Sequence, residues 1–509
     1  MFRALTAAQA RAVEERAVAA QGVSLLSLMH AAGAAVAREF AERVPEGDLI
    51  VLAGPGNNGG DGWVAARDLH AAGRSVRVLA TRDPAALSGI ASEAAGEALA
   101  AGVAWRVPAE PPTADELAEA AGIADALLGI GSAGALREPL DAWVEAANSS
   151  GAFVLAVDAP TGIDADSGSV SGPAIVADCT VTFTAPKLGL LTYPAAGHVG
   201  ELVVARIGIA EDIADISGAP EVWTAEEYAA LVPLPAPDAH KNSRGRVLVV
   251  AGSGAYPGAA VLATRGAMRA GAGYVTLAVP QSIVATVQAH LIAAPVVGLP
   301  QGRTHALSSA AASKLLQLAL EYDAVVLGPG LTLADGAVAT VRSLVAGIEA
   351  PLVVDADGLN ALVDAQQLIA SRKAPTVLTP HPGELARLLG ITAADVQADR
   401  VSSSGRLASA TCTVVLKGAG TVISGEGRQV INVSGTPALA TAGTGDVLAG
   451  VVGALLAQGC GPLNAGALAA YVHGRAGEAA ASALTPVGVT SEDIPGFLPT
   501  AIGELLGQW

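Results

Sequence analysis

Aromatic residues are scarce, 3% of the 509-residue chain, so its cores cannot rest on large rings and must be built from Ala, Val and Leu. Charge is also sparse at 15%, against 51% hydrophobic residues and 60 glycines. That composition excludes a disordered chain and describes a well-buried globular one. Positive charge is scarcer still. Lys and Arg number 29 against 47 Asp and Glu, a net charge of −18, and no Lys/Arg cluster occurs. A general nucleic-acid binder carries a basic patch, so that class is excluded, and an anionic membrane surface is disfavoured as a partner. Anionic small ligands stay open where backbone N–H groups hold them. The three cysteines, Cys179, Cys412 and Cys460, lie far apart in apolar surroundings without metal-ligand spacing. Free thiols in a reducing, cytoplasmic setting are expected. Long apolar runs are missing. The run after Asp446 falls short of the ~18–20 residues a membrane span requires. The N-terminus carries Arg3, Arg11, Glu14, Glu15 and Arg16 in place of an apolar segment, so no signal peptide is expected.

Small residues and polar strand ends are what the chain has in quantity. Its length calls for two or more domains. Leu5–Ala20 and Ser24–Val44 read as Ala-rich helices, with Ser24 as an N-cap. Leu49–Leu52 reads as a buried strand running into Asn57-Asn58-Gly59-Gly60-Asp61-Gly62, followed by a helix from Trp63 to Ala72 and a strand from Ser75 to Ala80. This is a βαβ unit with a glycine-rich first turn. Ile123–Leu128 reads as a strand containing Asp125 and ending in the loop Gly129-Ile130-Gly131-Ser132-Ala133-Gly134-Ala135. Phe153–Val157 is a strand ending in Asp158-Ala159-Pro160-Thr161-Gly162. Ligands of parallel sheets bind beyond the carboxyl ends of the strands, where these loops emerge. A carboxylate inside an apolar strand needs a partner. For Asp125 that partner is a cation shared with Asn58, or the aspartate is simply hydrogen-bonded.

Together, Asn-Asn-Gly-Gly-Asp, the Asp-Ala-Leu-Leu-Gly strand end, Arg137-Glu138-Pro139 and Asp-Ala-Pro-Thr-Gly resemble the epimerase domain of the NAD(P)H-hydrate repair enzymes, over most of residues 1–215. The resemblance implies that Asn57, Asn58, Gly59, Gly60 and Asp61, with Gly129 to Ala135, hold the hydrated cofactor. It implies that Asp158 contacts the substrate and transfers the proton. It further implies a potassium ion on Asn58, Asp125 and Thr161. The family often has Ser where Thr161 stands; the hydroxyl is kept.

A polar stretch from Ile213 to Pro220 and the prolines at 233, 235 and 237 place a domain boundary near Gly218, giving domains 1–217 and 218–509. Arg246–Gly252 starts a second α/β series. Strands are expected at Tyr274–Val279, Ala324–Leu327, Leu352–Val354, Thr376–Leu378 and Thr413–Leu416, the last four each leading into a polar or glycine motif. The last motif, Thr441-Ala442-Gly443-Thr444-Gly445-Asp446, opens the apolar segment Val447–Leu456, which reads as a buried helix. Free N–H groups and the positive dipole end make such a position an anion site, and Asp446 in the first turn can take a proton from a hydroxyl. As a lone motif it equally describes a turn and a dipole partner.

Gly-Pro-Gly, Thr-Pro-His-Pro-Gly-Glu, Lys-Gly-Ala-Gly-Thr and Ala-Gly-Thr-Gly-Asp resemble the ribokinase-like fold and, within it, the ADP/ATP-dependent NAD(P)H-hydrate dehydratases. By this resemblance Ala259, Gly330, His381 and Asp446 bind the hydrate. Lys417, Gly418, Ala419, Gly420 and Thr421, with Gly443 and Gly445, bind ADP or ATP with Mg2+. The expectation is therefore an N-terminal Rossmann-like three-layer α/β/α sandwich followed by a ribokinase-like α/β domain. Its expected substrates are the hydrates NADHX and NADPHX, epimerised by the first domain and dehydrated by the second, with Asp158 and Asp446 catalytic. A homo-oligomer is expected. The rivals are a kinase of the same fold acting on a small alcohol, and a scaffold whose N-terminal half senses ligands.

Overall fold

The computed structural model describes residues 1–132 and 134–507. The chain folds as two compact units, Phe2–Ala219 and Pro220 onward. The first opens with α1 (Ala7–Gln21) and α2 (Leu25–Arg43). Thr6 and Ser24 cap them, accepting from Gln9 N and Ser27 N while those residues' side chains reach back to the cap. Seven strands follow: β1 (Leu49–Ala53), β2 (Val76–Ala80), β3 (Ala104–Arg106), β4 (Gly122–Ala126), β5 (Phe153–Val157), β6 (Cys179–Phe183) and β7 (Glu201–Ala205). They pair in parallel in the order β3-β2-β1-β4-β5-β6-β7. Alternation along β1 sends Leu49 and Val51 into one core with Phe40 and Trp63, and Ile50 and Leu52 into another with Leu117 and Trp143. Helices thus cover both faces, as expected of a three-layer sandwich. The strand order reverses between β1 and β4, which opens a crevice at their carboxyl ends.

One expectation is corrected here. The helix after β1, α3, runs from Asn57 to Ala71 and does not wait for Trp63. Its glycines are packing residues inside the helix. A Cβ on Gly59 would lie 1.9 Å from Gly54 O, and one on Gly60 2.6 Å from Met29 Cε. Close approach to the sheet and to α2 outweighs the low helix propensity of glycine, which propensity reasoning alone turns into a loop.

In the second unit the strands are β8 (Arg246–Val250), β9 (Tyr274–Pro280), β10 (Val296–Leu299), β11 (Ala324–Leu327), β12 (Leu352–Val354), β13 (Thr376–Leu378), β14 (Cys412–Leu416), β15 (Thr421–Gly425) and β16 (Arg428–Asn432). Their order is β16-β15-β14-β13-β12-β11-β8-β9-β10, parallel except for the antiparallel β14-β15-β16 run, and the two-residue strand Glu221–Val222 pairs in parallel with β16. The β15–β16 hairpin and β10 are additions to the strands expected from sequence. Val247 and Val249 of β8 face a core with Val447 and Val451, whereas Leu248 and Val250 face one with Leu315 and Leu344. The helices that bear on function are α4 (Pro257–Arg269), α5 (Pro382–Leu389) and α6 (Thr444–Ala457). Among the described residues no single helix is long and apolar enough to cross a membrane.

Candidate active sites

In the N-terminal unit a cavity of about 450 Å³ opens at the β1/β4 reversal. Of the residues expected from sequence, Asn57, Asn58, Asp61, Gly129, Ile130, Gly131, Ser132 and Asp158 line it. Gly59 and Gly60 are instead in the α3 packing just described, Gly134 and Ala135 do not line the cavity, and Ala133 lies outside the described residues. Gly56 caps α3 without a side-chain bond, and Gly56, Asn57 and Asn58 at that helix N-terminus line the cavity.

Asp158, directly after β5, has a positive φ of 64°, a region that non-glycine residues enter uncommonly and Asp more readily than most. Its Oδ1 accepts from Lys187 Nζ at 2.5 Å and from Thr182 Oγ1 at 3.1 Å. Lys187 is 2% exposed and spends its remaining hydrogens on Thr182 Oγ1 and Phe183 O. A buried ammonium thus fixes the carboxylate's position. Two further carboxyls line the same cavity. Burial, with Asp158 and Glu14 nearby, pushes Asp61 well above its ordinary range, and burial also raises Glu14.

Asp125 is fully buried in β4, and its carboxylate accepts from Thr161 N at 2.8 Å, Thr161 Oγ1 at 2.7 Å and Leu127 N at 3.2 Å. Burial nevertheless pushes it up to about 6. Asn58, also buried, has neither Oδ1 nor Nδ2 hydrogen-bonded, and it stands against Gly129 at the end of the same strand. Thr161 Oγ1 accepts from Leu128 N at 3.0 Å, next to that Gly129, so an orphaned amide oxygen, a carboxylate and a hydroxyl come from neighbouring strand ends, an all-oxygen donor set of the kind hard cations take. These three residues therefore fit a potassium ion. Among the described residues no group of three or more His, Cys, Asp or Glu can hold a metal.

The C-terminal site is built on α6. Gly443, with φ 97°, caps it without a side-chain bond, and Thr444 Oγ1 is turned back onto Leu439 O and Thr441 O. The first N–H groups of α6 are left for an anion. Asp446 sits in that first turn. Burial, then Asp355, push its carboxyl up to about 7, with Lys417 opposing and Asp357 and Glu384 adding to the rise. A carboxylate titrating near neutrality is suited to general-base work.

Lys417, at the end of β14, donates to Asp355 Oδ1 at 2.7 Å and lies 3.9 Å from Glu384 Oε2. Burial lowers the ammonium, but Asp355 and Glu384 more than offset it and hold it above its ordinary value. The loop 418–420 is held from behind by Arg400, whose Nη2 donates to Leu416 O, Lys417 O and Gly420 O at 3.0, 3.1 and 3.3 Å. Gly330 and Ala259 are neighbours: a Cβ on Gly330 would lie 2.9 Å from that of Ala259. His381 caps α5, its Nδ1 accepting from Gly383 N at 3.0 Å and Glu384 N at 3.3 Å. That fixes the tautomer with the hydrogen on Nε2 and gives His381 a structural duty besides any binding role. Burial lowers its imidazole below the ordinary value.

Two family patterns match the two units: "YjeF-related protein N-terminus" over residues 25–189 and "NAD(P)H-hydrate dehydratase" over 247–499. A bifunctional NAD(P)H-hydrate repair enzyme of Thermofilum pendens is 40% identical over 501 residues, covering 97% of this chain and 95% of that protein. The chain belongs to the bifunctional NAD(P)H-hydrate repair enzymes. A second family member, from Pyrobaculum aerophilum, is 40% identical over 489 residues, 94% of each chain. Among solved structures, a ribokinase-like superfamily protein from Enterococcus faecalis is 25% identical with a TM-score of 0.50, covering 58% of this chain and 99% of that one.

Sequence reasoning missed several polar groups that this NAD(P)H-hydrate repair enzyme brings to its two sites. Lys187 follows an unremarkable Ala-Pro, and nothing in its neighbourhood signals that it meets Asp158 across the fold. Asp355 and Glu384 stood inside strand-end motifs, which was the available signal for them. Arg400 and Glu14 sit on helices with no motif at all.

Proposed function

We propose that this chain restores hydrated NADH and NADPH, its N-terminal unit exchanging the two epimers and its C-terminal unit removing the water at the expense of ADP or ATP. The observation that carries the reading is Asp446: a carboxyl near neutrality in the first turn of a helix with free N–H groups, with the Lys417 ammonium lowering its pKa. Hydroxide is a poor leaving group. Asp446 takes the proton of the hydrate's hydroxyl, and the oxygen attacks the terminal phosphoryl group of the nucleotide. The ring nitrogen then expels phosphate, and the neighbouring carbon gives up a proton to restore the double bond. The α6 N–H groups and Lys417 face the charge that develops on the transferred group. Ala259, Gly330 and His381 hold the hydrate, and Lys417 to Thr421 with Gly443 and Gly445 hold the nucleotide. Magnesium accompanies the nucleotide phosphates, as is usual for an ion that needs no all-protein cage.

In the N-terminal unit Asp158, held in place by Lys187, is the base that transfers the proton on the oxygen at the carbinol centre. Asn57, Asn58 and Gly129 to Ser132 surround the substrate. A potassium ion on Asn58, Asp125 and Thr161 would supply the positive charge that buried Asp125 lacks.

The test is to give the protein purified hydrate with ADP or ATP and follow the absorbance of the reduced nicotinamide ring. Its return, dependent on nucleotide, supports the reading. A stable phosphorylated product without that absorbance would place the chain among small-alcohol kinases instead.

A further inference from the structure

Arg11 and Glu14 lie on α1, ahead of the segment that the N-terminal family pattern matches, yet both line the N-terminal cavity. The helix is pinned there by backbone bonds. Leu5 N donates to Pro186 O and Leu188 N to Leu5 O, both at 2.9 Å, so Leu5 bridges onto Lys187 in parallel. Ala7 N donates to Asp166 Oδ1 at 2.5 Å, and Val13 is buried in one cluster with Leu5 and Ala185. The stretch that brings Lys187 to Asp158 therefore also sets where α1 begins. Asp158 enters the cavity from the sheet, Glu14 from this helix.

An epimerase must break and remake a bond at one carbon from two faces. Asp158, paired with an ammonium, serves as a base; a base alone does not help a hydroxyl leave. We propose that Glu14 is a second catalytic residue of the N-terminal site, the general acid that acts on the hydrate's hydroxyl while Asp158 acts as base. This rests on the epimerase reading of the cavity. Hydration of an enamine places the hydroxyl on the carbon beside the ring nitrogen. Glu14 gives its proton to that oxygen, the C–O bond breaks, water leaves, and the nitrogen lone pair forms a C=N+ bond. Water then adds to the opposite face of that carbon and gives its proton to Asp158. Glu14 ends as carboxylate and Asp158 as acid, and exchange with solvent restores both.

The surroundings suit an acid. Burial raises the Glu14 carboxyl, Lys187 pulls it back, Asp158 pushes it up, Arg11 pulls it down and Glu15 pushes it up, with a net rise above the ordinary carboxylate range. Asp61 faces the same cavity and is the competing acid, but it stands on α3, directly after the sheet.

The experiment uses the full chain without nucleotide and measures exchange of the separated epimers across the acid-to-alkaline range. The wild-type rate should fall as pH rises and Glu14 loses its proton. Glu14→Gln should lower kcat by about 10²–10⁴-fold with KM little changed and should abolish that pH dependence. Glu14→Ala should regain rate in formic acid buffers. A wild-type thermal unfolding profile of each full-length variant reports that the N-terminal unit is folded. Near-normal kcat in Glu14→Gln overturns the proposal, as does loss of the alkaline limb in Asp61→Asn with its retention in Glu14→Gln. Failure of the wild-type protein to exchange epimers overturns the epimerase reading itself, a result distinct from either.

Discussion

Lys417 occupies the space that a side chain at Gly445 would need: a Cβ there would lie 3.1 Å from Lys417 Nζ, which is itself held 2.7 Å from Asp355 Oδ1. Gly445→Ala therefore presses on an ammonium that cannot retreat without loosening its ion pair. Alanine is favoured in a helix by up to ~1 kcal/mol, so the melting temperature should hold or rise. Dehydration should nonetheless slow by about 10- to 100-fold, because the displaced charge no longer faces the transferred group. Steady-state kinetics and a melting curve on one variant check this; wild-type dehydration would show that the position of Lys417 is not limiting.

The Lys187–Asp158 pair is buried on both sides, with side-chain exposures of 3% and 12%. Removing one partner leaves an uncompensated charge. Lys187→Met should cost about 3–5 kcal/mol of stability and abolish epimer exchange. Adding Asp158→Asn to that variant should recover much of the stability and none of the activity. Denaturant unfolding of both variants decides it; equal instability of the single and double variants would mean that Lys187 matters for packing alone.

What the sequence made legible were groups carried by strand-end motifs. Asp158, Lys417 and the Asn57–Asp61 run each follow an apolar strand, and a parallel sheet gathers such ends at one edge, whereas Asp446 opens a buried apolar helix. What it hid depended on distance along the chain or on packing. The Lys417–Asp355 bond joins positions 62 residues apart, and Arg400 reaches its loop from a helix. The start of α3 was hidden because glycine reads locally as a helix breaker, while close contact with Gly54 and Met29 is what the fold required of it.

Asn58 Oδ1 lacks a hydrogen-bond partner, and Asn58 stands against Gly129, the residue after the Leu128 whose N–H donates to Thr161 Oγ1. Replacing potassium by a large organic cation should slow epimer exchange and leave dehydration by the C-terminal unit unchanged. Asp125→Ala should weaken the potassium dependence. An exchange rate indifferent to the cation would exclude the assignment.

Asp446 separates a catalytic role from a structural one by the sign of its effect on stability. Its folded carboxyl titrates near 7, pushed up by burial and by Asp355, against an ordinary value of 3.8. Between those two values the folded chain holds a proton that the unfolded chain has released, so the group favours folding most at low pH. That stability is lost as pH rises toward 7, where the buried charge must form. Asp446→Asn removes the charge. It should leave the melting temperature unchanged at pH below 3.8 and raise it above pH 7. It should lower dehydration by about 10²–10⁴-fold and leave epimer exchange unaltered. Nucleotide binding should persist, because the α6 N–H groups and Lys417 remain. An Asp446 that only complemented the helix dipole would behave in the opposite way, losing about 0.3–1 kcal/mol of stability on substitution with little change in rate. Melting curves at the two pH extremes, with both activities measured on the one variant, distinguish the two. A lowered melting temperature with near-normal dehydration would remove Asp446 from the chemistry.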